Sequence, residues 1–499
     1  MSSSTIAVIS DIHDKEYPGS LDVTLALTAR AVHRLNRFIK PDITVILGDL
    51  VDDPRDPDAL DRLRRIKETL DLLKSPYIVI PGNRDPKADQ FYTVFDRPQP
   101  YIDCRHVRLV PFLDRFHGGF PLTRSKEDLE RLAAARVRYS GPIVALQHVP
   151  VKPPGGESTG SIYANVDEVN QAFEAAGVTL SIGGHYHATK GLERVGRCAH
   201  LAVKAFRDAP FTFTVVHIDG AGRIEGAEHQ LQMPRSLELI DVHTHSEFAY
   251  CSKAMRMNQT PLLADLFGLA GVALTEHSGQ LYFERSVYWK GAFCEQGIET
   301  IDGRDERIDA YWQAVDLEWD GSLWAGLEID ADYRGGLVVR PEDFRRSEIR
   351  NGAVHYLREL RKREHADPDR VADEFMQVTQ GIVQSGIDVL VHPFRVFRRA
   401  GLPVPERLFE PVARLLAKHG VAAEINFHTN EPDPRFFEIC LDLGVQLAFG
   451  SDAHEIWEVG EFAPHLRLLE ECGFDGDVRD ILWTPPPNRI RRDRRKARD

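Results

Sequence analysis

Glu238-Leu-Ile-Asp-Val-His-Thr-His-Ser-Glu247 lies almost at the middle of this 499-residue chain. Leu239 and Ile240 lead into Asp241, after which His243 and His245 alternate along an expected strand. Successive strand side chains point to opposite faces, so both imidazoles leave the same face. Two histidines leaving a strand end together suit a divalent metal better than a hydrophobic core. Motifs of the same chemical kind precede the stretch and finish at His187; a second series begins with it. It therefore reads as a seam between a domain over residues 1–232 and another over 233–487.

Bulk composition narrows the classes. The length suffices for two or three domains with full cores. Hydrophobic residues at 42% and charged residues at 28% describe an ordinary globular protein. A net charge of -14 argues against a uniformly basic nucleic-acid surface. Cys104, Cys198, Cys251, Cys294, Cys440 and Cys472 are scattered, with no C-x-x-C pair. That argues against a disulfide framework and fits a reducing cytosol. The apolar run Ile6–Ile9 is too short for a signal-peptide core, and no apolar stretch approaches membrane-spanning length. The expected location is cytoplasmic, without a membrane partner.

Upstream of the seam, apolar strands alternate with helical segments. Residues 5–10 end in Asp11-Ile-His13, and 43–47 end in Gly48-Asp49. Residues 77–80 end in Pro81-Gly-Asn83-Arg84-Asp85, 143–146 in Gln147-His148, and 180–182 in Gly183-Gly-His185-Tyr-His187. One Gly-Asp or Gly-Asn pair is ordinarily turn chemistry. Five strand ends carrying Asp, Asn or His, and none a thiol, instead form a mixed oxygen and imidazole donor set for manganese, iron or zinc. A shared carboxylate can hold two such ions close enough to clamp an in-line displacement at phosphorus. Residues 211–218 are expected as an edge strand, followed by a last strand and linker.

D-x-H, G-D, G-N, H and G-H-x-H, in that order, resemble the calcineurin-like metallophosphoesterase family over about residues 5–220. The resemblance implies an α/β sandwich of two mixed sheets with a two-metal centre and a metal-activated hydroxide as nucleophile. It places Asp11, His13 and His187 on one ion, Asn83, His148 and His185 on the other, and Asp49 between them. The family usually has a histidine after G-N, and here Arg84 stands there. A guanidinium can stabilise a developing oxyanion but cannot readily give up a proton. The alternative is that Arg84 merely pairs with Asp85 and another residue supplies the proton.

Downstream, residues 271–275 lead to Glu276-His277, 323–327 to Glu328, and Asn351-Gly-Ala-Val leads to His355. Residues 387–391 lead to His392-Pro, and 445–449 to Gly450-Ser-Asp452-Ala-His454. Alternating strand, ligand and helix fit a β/α barrel, whose sites gather at the C-terminal rim. H-x-H, T-[DE]-H, G-x-E, H, H-P and G-S-D-x-H resemble the polymerase-and-histidinol-phosphatase (PHP) family over roughly residues 238–485. That family is a distorted seven-stranded β/α barrel with up to three metals. The resemblance places His243, His245, Glu328 and Asp452 on one ion, and His355 and His392 on a second bridged by Glu328. It gives His277 and His454 to a third. Glu276 stands where the family has Asp, as a carboxylate behind the ligands. Cys251 stands where a histidine is often found; a cysteine there is either a zinc thiolate or a small buried hydrophobe.

The combined expectation is a metal-dependent phosphoric ester hydrolase, bifunctional, cleaving phosphodiester or cyclic phosphate bonds in one domain and phosphomonoesters in the other. Arg84, Asp49 and Glu328 are the candidate catalytic residues. Two ions are expected in the N-terminal domain and two or three in the C-terminal one, acting on a small phosphorylated substrate, nucleotides included. Residues 489–499 hold seven Arg or Lys against two Asp, which reads as a solvated, disordered end or as a counterion-releasing arm for nucleic acid. A nuclease is therefore one alternative. A second is a chain in which one domain has lost catalysis and serves as a ligand-binding or scaffolding module.

Overall fold

The computed structural model describes residues 3–15, 21–116, 119–152, 162–189, 191–300, 306–318 and 323–486. The basic tail lies outside them. The chain divides into two compact units, Met1–Gln232 and Met233–Asp499.

The first unit is built on two mixed sheets. One runs in the order β11-β10-β1-β2-β3, from Ile224–Gln230, Thr212–Asp219, Ser3–Ile9, Ile43–Ile46 and Tyr77–Val79. The other runs β4-β5-β6-β7-β9-β8, from Ile102–Cys104, Val107–Pro111, Ile143–Leu146, Val178–Gly183, Cys198–Ala202 and Glu193–Val195. Period-two alternation explains the layering. Ile6 and Val8 of β1 and Val45 of β2 pack with Leu109, Val144 and Leu180 of the other sheet, while Val110 and Ala145 turn outward to Leu132 and Phe173 of flanking helices. Truncating such a fully buried Leu to Ala costs about 2–5 kcal/mol. The strand expected at the sheet edge is interior: β10 pairs antiparallel with both β1 and β11. Its nearly unbroken burial, with only His217 partly exposed, is the signature that separates a central strand from an edge one. The polar Ile224–Gln230 takes the edge instead.

The second unit is a sheet of seven parallel strands in sequential order. They are β12 (Ile240–Thr244), β13 (Gly271–His277), β14 (Leu323–Ile329), β15 (Ile349–Gly352), β16 (Val389–Leu390), β17 (Ala422–Ile425) and β18 (Leu447–Phe449). The sheet curls until its ends nearly close. Asp452 N–H donates to His243 O at 2.7 Å, and His245 N–H to Ala453 O at 3.1 Å. The barrel-like curl brings every strand's C-terminal end to one rim. Among the described residues, no helix is long and apolar enough to cross a membrane.

Candidate active sites

In the first unit, the loops after β1 and β2 run side by side: Asp11 N–H donates to Gly48 O and His13 N–H to Asp49 O. Asp11, His13, Asp49, His185 and His187 all have positive φ. Non-glycine residues rarely adopt that conformation, and strain of this kind concentrates at functional sites. The motif glycines have a steric reason. A Cβ on Gly82 would stand 2.3 Å from Asp49 Oδ1 and 2.8 Å from His148 Cε1, so only glycine lets the Asn83 loop approach these groups.

Two donor groups meet at Asp49. On one side, His13 Nε2 lies 3.6 Å from Asp11 Oδ1, 3.7 Å from Asp49 Oδ2 and 3.2 Å from His187 Nε2. On the other, His148 Nε2 lies 3.4 Å from Asp49 Oδ2 and 3.1 Å from Asn83 Oδ1. Asp11, His13 and His187 could hold one ion, and Asp49, His148 and His185 another. Asp11 Oδ1 is buried with no hydrogen-bond partner, and coordination to a cation would satisfy it. His148 donates Nδ1–H to Leu47 O at 2.6 Å, which frees Nε2 for a ligand bond. Burial pushes the Asp11 carboxyl up, yet His13 and His187 outweigh it and hold it well below its usual range. Burial likewise opposes charge on His148, but the Asp49 carboxylate lifts its pKa to about 10.

Arg84 does not pair with Asp85. Asp85 is buried, and its oxygens accept from the backbone N–H groups of Leu50, Val51 and Gly82. The Arg84 side chain is exposed, while its own N–H donates to Asp49 Oδ1 at 2.6 Å.

The calcineurin-like phosphoesterase family matches residues 4–189, the span that carries all of these donors. This segment is a calcineurin-like phosphoesterase domain. Two similar proteins are a "Probable phosphatase" of Acetivibrio thermocellus, 27% identical over 154 residues, and a "Probable glycerophosphodiester phosphodiesterase GpdQ" of Arcobacter nitrofigilis, 29% identical over 109. The matches cover 29% and 21% of this chain, and 58% and 38% of those proteins. A dimetal phosphatase from Danio rerio aligns over 46% of this chain and 98% of its own, at 16% identity and a TM-score of 0.36.

Beyond the phosphoesterase domain, the barrel rim gathers a second centre. His243 and His245 leave β12 together, and Glu328 ends β14 between them and the far strands. Glu328 Oε2 stands 3.5 Å from His243 Nε2 and 3.6 Å from His245 Nε2, and it also contacts His277 Nδ1. Its Oε1 stands 3.1 Å from His355 Nε2 and 2.6 Å from His392 Nε2. Asp452 Oδ1 reaches His245 Nε2 at 2.9 Å. All of these side chains are buried, and His243 Nε2 and Glu328 Oε2 have no hydrogen-bond partner. Burial pushes the Glu328 carboxyl up, but His277, His355 and His243 hold it well below its usual range. The chemistry of this donor set fits divalent ions.

Carboxylates behind these histidines orient them. Glu424 accepts from His243 Nδ1 at 2.8 Å, and Asp330 from His355 Nδ1 at 2.6 Å. Glu276 accepts from the Ser246 hydroxyl at 2.6 Å and lies 3.5 Å from His245 Nδ1. Gly450 is required here, since a Cβ would meet Glu424 Oε1 at 1.8 Å.

Cys251 is not a packed hydrophobe. It is half-buried, and its Sγ lies 3.0 Å from His454 Nε2 and 3.4 Å from His277 Nε2. These two histidines form a further candidate ion group with His245. A cleft of about 420 Å3 opens above His277, His355 and His454, walled by Trp289, Trp457 and Arg395. Tyr282 and Phe283 are core residues; Tyr282 OH donates to Asp343 at 2.5 Å. His428, which belongs to neither motif series, stacks on His454 at 4.6 Å and lines the cleft. Arg395 had no distinguishing signal beyond its place three residues after His392.

Proposed function

We propose that the chain is a metal-dependent phosphoesterase with two hydrolytic centres. In this reading the phosphoesterase domain acts on diesters or cyclic phosphates, and the barrel removes phosphomonoesters as a PHP-type centre. The observation that carries it is the shared carboxylate in each unit: Asp49 between His13 and His148, and Glu328 between His243 and His392. Asp11, His13 and His187 would hold one ion and Asn83, His148 and His185 the other, with Asp49 shared. His243, His245, Asp452, His355 and His392 would serve around Glu328, with His277, His454 and Cys251 at a third position. Bound ions would supply a Lewis acid and an activated water.

The chain's own residues do the rest. Leu47 O and the Asp52, Asp208, Glu424 and Asp330 carboxylates hold one ring nitrogen of His148, His13, His187, His243 and His355 protonated, so the other points its lone pair at the centre. Arg84, whose backbone N–H donates to Asp49, would bring a fixed positive charge to an oxyanion. It offers no proton to a poor alkoxide leaving group, which favours diesters with better ones. Trp289 and Trp457 bound a small organic group in the barrel cleft, and one chain holding both centres raises the local concentration of an intermediate monoester.

The test is activity of the full chain with manganese or zinc against a diester, a 2′,3′-cyclic nucleotide and a monoester, beside Asp49→Asn and Glu328→Gln. The first substitution should abolish diester cleavage and the second monoester cleavage. One substitution killing every activity while the other changes nothing would leave a single catalytic unit.

A further inference from the structure

Arg395 has no part in the reading above except as a wall of the cleft, yet its surroundings are those of an ion. The side chain is buried. One guanidinium nitrogen, Nη1, contacts Asp452 Oδ2, and Nη2 lies 2.7 Å from His392 Nε2 and 3.1 Å from His355 Nε2. Glu328 Oε1 is 4.0 Å from Nη2. These four partners are the donors assigned above to the bridging carboxylate, the second ion and its neighbour. His355 Nδ1 faces Asp330 at 2.6 Å, so its Nε2 presents a lone pair to Arg395. His392 Nε2 is contested: Arg395 requires it to accept, while Glu328 Oε1, at 2.6 Å, requires it to donate. One ring nitrogen cannot do both. A divalent ion coordinated by Glu328 and His392 removes that conflict, because both then act as lone-pair donors.

A guanidinium and a divalent ion cannot share this space, since both are permanent cations at contact distance in a buried site. The cleft offers the guanidinium another place: Arg395 already borders it, together with Lys253 and Arg399.

We infer that Arg395 is a positioning residue that competes with the second ion of the barrel centre, and that metal binding turns its guanidinium toward a phosphoryl oxygen in the cleft. Metal affinity and phosphate affinity are thereby coupled through one side chain. The inference rests on the reading of the barrel rim as a metal centre.

The experiment compares full-length wild type, Arg395→Lys and Arg395→Ala, each checked for folding by circular dichroism. Manganese is titrated into the metal-stripped proteins by calorimetry with ions counted by mass spectrometry, the phosphoesterase domain serving as internal reference. Both variants should bind the second barrel ion roughly tenfold or more tightly than wild type. Free guanidinium at low millimolar concentration should bring Arg395→Ala back toward wild type. Inorganic phosphate should bind the metal-loaded variants roughly tenfold more weakly. A residue with a merely structural role would leave metal affinity unchanged or weaken it when replaced. If Arg395→Ala does not fold, Arg395→Lys decides, because a lysine cannot span both His392 and Asp452 as a fork. Unchanged or weaker metal binding in the variants overturns the inference alone. A barrel that binds no ion in any form overturns it together with the metal reading on which it rests.

Discussion

His13 and His187 point their Nε2 atoms at each other across 3.2 Å, while their Nδ1 atoms lie 3.1 Å from Asp52 and 3.0 Å from Asp208. Carboxylates accept, so each Nδ1 carries the ring proton and the two Nε2 lone pairs face one another. Two lone pairs at that distance repel unless a cation lies between them. Replacing Asp208 with Ala should therefore weaken metal binding at this pair by about 10–100-fold. Calorimetric titration of the metal-stripped protein would read it, and an unchanged affinity would remove Asp208 from the centre.

Arg84 supplies a backbone N–H to Asp49 that any residue at this position would keep. Arg84→His should accordingly fold as wild type while gaining a group able to donate a proton. Alkyl monoester hydrolysis by the phosphoesterase domain should rise by roughly tenfold or more relative to diester hydrolysis. The ratio of kcat/KM values for the two substrates, measured in the Glu328→Gln background, checks it.

Protonation and metal binding compete at His148. Its pKa is raised from 6.5 to about 10, so in the metal-stripped chain its stabilising charge is fully present below pH 6.5 and is lost as pH rises through about 10. Metal takes the neutral ring, so affinity at this centre should increase over the same window as thermal stability without metal falls. Melting temperatures of stripped and loaded protein between pH 6.5 and 10 should diverge. His148→Asn should flatten the slope of the stripped form.

The Cys251 thiol beside His454 and His277 would give the proposed third barrel position one soft donor. Burial holds the thiol up at about 12, so thiolate forms there only when an ion displaces the proton. Zinc should occupy this position in preference to manganese. Cys251→Ser should lower the zinc count of the purified protein by up to one ion while leaving manganese binding at the other barrel positions in place. Equal zinc counts in the two proteins would assign Cys251 no ligand role.

The donors were legible in the sequence because each stands where an apolar strand ends, and glycine beside them marks a close approach of backbones. Gly82 and Gly450 stand there because another residue's side chain would strike Asp49 or Glu424. Strand order was less legible. Residues 212–219 alternate with Thr and His as an edge strand would, and only their pairing with Ser3–Ile9 and Ile224–Gln230 shows them to be interior. Cys251 was ambiguous for a related reason, since a lone thiol has the same local signal in a core, on a surface or at a cleft.

The order and spacing of Asp, Asn, His and Gly along the chain determined two α/β units with donor residues at their strand ends. Period-two alternation and strand termini are local properties that each segment carries by itself. That Arg395 reaches into the group around Glu328, and that His428 stacks on His454 beside the cleft, was decided by the tertiary structure alone. Those relationships join residues as far apart as Glu328 and Arg395, and only the curl of the barrel brings such strand ends together.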